Sequence, residues 1–96
     1  MMKDILPLVA QIQVLTQRAY TLYAPQVKHI INAQIKDEKR IQQLLDGMLD
    51  FCSDEQFLML FKKLCRYYWF INPYETAQYI QTYRELWDNE EDIHAD

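Results

Sequence analysis

Apolar residues recur along most of the chain at three- and four-residue intervals, and the places where that rhythm stops are as informative as those where it holds. Leu8, Ile12, Leu15, Ala19, Leu22 and Tyr23 form one stripe at helical spacing, with Ile5 and Val9 on its flank. Asp4 can cap this first helix, and Pro7 falls early enough to be tolerated. Ala24-Pro25 predicts its end, because a residue before proline is pushed out of the α region and a proline is well suited to open the next helix.

A second stripe follows in Val27, Ile30, Ile31, Ile41, Leu45, Met48, Leu49 and Cys52. Its middle, residues 32–40, is almost wholly polar, and Gln34 and Glu38 occupy positions where the stripe calls for apolar groups. Two readings follow: the helix outruns its neighbours or breaks there, or Gln34 and Glu38 make a buried polar contact, across a dimer for example. A catalytic role for Glu38 has no second carboxylate or histidine on the same face to support it.

Ser53-Asp54-Glu55-Gln56 has the form of a capping box and predicts the start of a third helix, whose core stripe is Phe57, Leu60, Phe61, Leu64, Tyr68 and Ile71. Asn72-Pro73-Tyr74-Glu75 combines an N-cap, a proline at the first helical position and an acid in the first turn. It ends the third helix and begins a fourth, expected to bury Ala77, Ile80, Tyr83 and Trp87. The expected fold is all-α: a small antiparallel up-down bundle of helices over 4–23, 25–51, 54–71 and 73–88, forming one domain, followed by an acidic tail at 89–96.

Composition agrees. The chain has 96 residues, half of them apolar, with one glycine and three prolines, which excludes collagen-like and wholly disordered classes. No apolar run approaches a membrane span, and the N-terminus is acidic too soon for a secretory signal, so the expected address is the cytoplasm. Cys52 and Cys65 fall on different helices about 17 Å apart along the hairpin axis, which predicts free buried thiols. Residues 1–72 carry a charge balance of +2 and residues 73–96 one of −6, so the acidity belongs to the last quarter.

Helix three carries the most suggestive surface. With its core stripe turned inward, Met59, Lys63, Arg66 and Phe70 face outward, with Lys62 and Trp69 to one side. Methionine, aromatic and arginine side chains of this kind are enriched at interface centres, which points to a non-enzymatic module that binds another protein or a second copy of itself. Single-stranded nucleic acid, with Trp69 or Phe70 stacking on bases and Lys62, Lys63 and Arg66 meeting phosphates, is the alternative, against which the overall acidity weighs.

Reaction chemistry has little to build on. The histidines and cysteines are scattered, and Glu91-Asp92-Ile93-His94 lacks the second copy that a di-iron bundle needs, so neither metal nor cofactor is expected. The lone Gly47 lies inside a helix, where close packing or a bend is its expected role. His29 faces outward like the histidine of helical phosphorelay domains, but Asn32 and Ala33 stand where a lysine and a glycine would follow.

Overall fold

A computed structural model of the chain describes residues 2–87, with side chains from residue 10 onward. It contains four helices, α1 (Met2–Asn32), α2 (Glu38–Leu49), α3 (Glu55–Trp69) and α4 (Pro73–Trp87), and no strand among the described residues. The fold is the expected all-α bundle. The predicted acidic tail, 89–96, lies outside the described residues.

The first boundary differs from expectation. α1 runs uninterrupted through Pro25 and ends seven residues later. A proline inside a helix costs about 3 kcal/mol through its missing N–H and its clash with the preceding turn. Packing outweighs that cost: Tyr20, Tyr23, Ala24, Val27, Ile30 and Ile31 form one stripe that lands on the core, with Val27 and Ile30 fully buried.

The helix ends instead where the apolar pattern disappears. The Gln34 N–H donates to the Ile31 carbonyl at 3.2 Å and the Ile35 N–H to the Ile30 carbonyl at 3.0 Å, closing a Schellman turn with Gln34 at φ 53°. Asp37 then caps α2, its carboxylate accepting from the Arg40 N–H at 3.4 Å. The polar middle is therefore a connection, and the helix expected over 25–51 is two helices.

The third boundary shifts by one residue. Asp54, in extended conformation, caps α3 by accepting from the Phe57 N–H at 3.1 Å, in place of the expected Ser53, which is exposed. Asn72 caps α4 as expected, its Oδ1 accepting from the Glu75 N–H at 3.0 Å.

α3 is the hub, packing on each of the other three helices. Phe57, Leu60, Phe61, Leu64 and Tyr68 are buried, as their spacing predicts. Each consecutive pair of helices is antiparallel: Tyr23 of α1 meets Gly47 of α2, Gln42 of α2 bonds Tyr68 of α3, and Phe61 of α3 faces Tyr83 of α4 at 5.9 Å between ring centroids. At the α1 end of the core, Phe51 stacks on Phe57 at 4.7 Å and Tyr20 meets Phe57 edge-on at 5.6 Å. Gly47 serves the close packing expected of it, since a Cβ there would overlap the Tyr23 phenol.

Two expected core stripes are corrected. Ile12 and Leu15 are exposed because α1, at 31 residues and about 46 Å, outruns the 12-residue α2 beside it, about 18 Å long, and Leu22 is exposed on the rim of the α1–α2 contact beside Arg40 and Gln43. α4 is rotated from the expected face: Thr76 is buried and Tyr79 half-buried, whereas Ala77, Ile80 and Trp87 are exposed. Hydrogen bonds set that rotation. The Tyr79 hydroxyl donates to the Gln42 carbonyl at 3.3 Å and the Trp87 indole N–H to the Leu49 carbonyl at 2.7 Å.

Candidate functional site

The corner between α3 and α4 is built around Asn72. Its N–H donates to the Tyr68 carbonyl at 2.8 Å, and its own carbonyl accepts from the Thr76 N–H at 3.0 Å and the Thr76 hydroxyl at 2.8 Å. Its side-chain amide reaches across to Glu38 Oε1 at 2.8 Å, where the Tyr68 hydroxyl also donates at 2.8 Å. Gln42 Nε2 donates to the same hydroxyl at 2.7 Å, and the Tyr67 hydroxyl donates to the Ile35 carbonyl at 2.7 Å. These bonds tie the α1–α2 connection and the first turn of α2 to the end of α3 and the start of α4.

Glu38 is thus occupied within its own chain. The Asn72 amide, then the Tyr68 hydroxyl, hold its carboxyl below the ordinary value of 4.5, against a smaller desolvation effect. Burial pushes the Tyr68 phenol up, and the neighbouring carboxylate adds to that. Gln34, by contrast, sits exposed in the Schellman turn. The structure does not bring Gln34 and Glu38 together on one face, because the connection between α1 and α2 separates them.

Beyond this corner, α3 and α4 line an open groove of about 520 Å³. Phe61, Cys65 and Thr76, all buried, form its floor. The α3 wall is Lys62, Arg66, Trp69 and Phe70, and the α4 wall is Ile80, Tyr83 and Arg84. Phe70, the C-cap of α3, is 85% exposed, and Trp69 before it is exposed as well. Among the described residues the lining contains three cations and no carboxylate, in a chain of net charge −4.

Of the six residues expected to form a surface on helix three, all are exposed, and four line this groove. Met59 is 72% exposed one turn away, and Lys63 points elsewhere. The contribution of α4 is not among the expected surface: Ile80, expected in the core, is exposed, and Tyr83 packs against the core as expected while also lining the groove. Thr76, Ile80, Tyr83 and Arg84 recur at the i, i+4, i+7, i+8 spacing of one helix face, which was the available clue. His29 is exposed in the last turn of α1.

Among the described residues no three His, Cys, Asp or Glu side chains gather as a metal site would need. Cys65 at the groove floor is held protonated, burial and then nearby Cys52 pushing its thiol up to about 12, far from the range of an activated nucleophile. No described helix is long and apolar enough to cross a membrane. No family model matches the chain, and no curated protein or solved structure matches it either.

Proposed function

We propose that this chain is a non-enzymatic protein-interaction module whose α3–α4 groove receives an acidic segment of another protein carrying large apolar anchors. One observation carries the reading: exposed Trp69, Phe70 and Ile80 surround a concave lining that, among the described residues, presents Lys62 and Arg66 and no carboxylate. The volume lies within the range of about 300–1,000 Å³ typical of binding pockets. Aromatic anchors beside guanidinium groups supply apolar contact and charge-assisted hydrogen bonds together. Two free, buried thiols agree with work in a reducing compartment such as the cytoplasm.

A displayed library of random peptides selected on the immobilised protein tests this. The expected winners combine acidic residues with apolar residues at helical spacing. Phe70→Asp and Arg66→Glu each weaken them at least tenfold while helical content and the unfolding midpoint stay as in the wild type. Winners without a charge bias, or winners indifferent to Phe70→Asp, overturn the proposal. Tight binding of an oligothymidylate that weakens steeply with salt would reassign the groove to single-stranded nucleic acid.

A further inference from the structure

The first two-thirds of α1 poses a separate problem, on a surface apart from the α3–α4 groove. None of residues 10–18 belongs to the core cluster, and Ile12, Leu15 and Leu22 are 56%, 61% and 68% exposed on this helix. A solitary projecting helix is marginal in water, and large apolar side chains on it add nothing unless another surface covers them.

Their spacing identifies that surface. Ile5, Leu8, Ile12, Leu15, Ala19 and Leu22 follow one another at alternating intervals of three and four, a strict heptad pattern. Isoleucine fills the first core position of two heptads, leucine fills the second core position of all three, and alanine occupies the remaining one. β-Branched residues at the first position with leucine at the second are the combination that favours two parallel strands over higher oligomers.

We infer that two copies of this chain pair through α1 as a parallel two-stranded coiled coil over residues 5–22. Charge permits self-pairing, because the only charged residues of α1 are Lys3, Asp4, Arg18 and Lys28. In parallel register the flanking positions set Gln11 opposite Thr16 and Arg18 opposite Tyr23, so no like charges meet. Area permits it too. The five large apolar seam residues of each copy, at about 100 Å² apiece, reach about 1,000 Å² together, the threshold that a specific interface has to clear.

Geometry leaves room for the rest of the molecule. At about 100° per residue, the seam lies about a third of a turn from Tyr20, Ala24, Val27 and Ile31, which pack on the bundle, and its last turn, Ala19 and Leu22, runs along the edge of the bundle beside α2. A two-fold axis along the coil then places the two bundles on opposite sides of it. Pro7 falls outside the seam, and Pro25 comes after its last leucine.

Sedimentation equilibrium of the full chain is expected to give twice the 11.7 kDa of one copy. Leu15→Glu, at an exposed position, is expected to give monomer with the near-ultraviolet spectrum of the bundle unchanged. Leu22→Cys is expected to cross-link to its own equivalent on mild oxidation, because only parallel pairing brings the two together; buried Cys52 and Cys65 do not compete. A wild type that stays monomeric at about 100 μM, a dimer that survives both Leu15→Glu and Ile12→Glu, or a Leu22→Cys dimer that fails to cross-link each overturns the inference. Phe70→Asp is expected to leave the dimer intact, which separates this result from the fate of the groove.

Discussion

Glu38 shows how one side chain can hold a corner of a fold. Its carboxylate accepts from Asn72 and Tyr68, bonds that strengthen when it is ionised and hold its carboxyl below 4.5. A carboxyl lowered in the folded state contributes stability that is present above the unfolded-state value and is lost as pH falls through the folded-state one. Glu38→Gln keeps the shape and removes the charge. Its melting temperature is therefore expected to fall below that of the wild type at pH 7, and the gap to close as the pH is taken from 4.5 toward 3. A gap of constant size across that range in thermal melts would show that ionisation of Glu38 contributes nothing. The sequence marked this residue as a polar intruder on an apolar stripe but could not supply its partners, which lie 30 and 34 positions away.

At the scale of elements, close approach decides more than intrinsic propensity. Glycine in a helix interior is ordinarily worse than alanine by about 1 kcal/mol, so Gly47→Ala should stabilise α2 if α2 stood alone. Here a Cβ would run into the Tyr23 phenol. Gly47→Ala is expected to destabilise the protein by about 1–3 kcal/mol in urea unfolding, with part of that loss recovered in the double variant with Tyr23→Phe. A stabilised single variant would show that α1 and α2 can move apart freely. The same competition explains the helix boundaries. Local chemistry decides the boundary at Asn72, whose cap depends on residues three positions away. At Pro25 it does not, because burial of Val27 and Ile30 overrides a local breaker.

At the scale of the whole molecule, Cys52 and Cys65 report on the integrity of the core around α3. Burial pushes both thiols up to about 12. Groups held neutral in this way leave stability undiminished below their ordinary value of 9 and lower it as pH rises from there, because only the unfolded chain then releases its protons. Iodoacetamide at pH 8 is expected to leave both thiols unmodified in the native protein and to label both at one common rate as urea is raised through the unfolding transition. Rapid labelling of Cys65 alone without denaturant would mean that the floor of the groove opens by itself. The stability of the hub and the openness of the groove are linked, since Phe61 and Cys65 belong to both.

Periodicity and capping within about four residues were enough to establish that this chain is all helical, that α3 buries Phe57, Leu60, Phe61, Leu64 and Tyr68, and that the outer side of α3 is rich in exposed aromatics and cations. Those properties depend on neighbours along one helix, which a linear pattern records directly. Tertiary structure decided the rest: the passage of α1 through Pro25, the rotation of α4 toward Gln42 and Leu49, the capture of Glu38 by Tyr68 and Asn72, and the exposure of Ile12, Leu15 and Leu22. Each of these follows from which surfaces the other helices are long enough and close enough to cover. An apolar stripe states that something must cover it, and only the packed chain shows whether that cover comes from within.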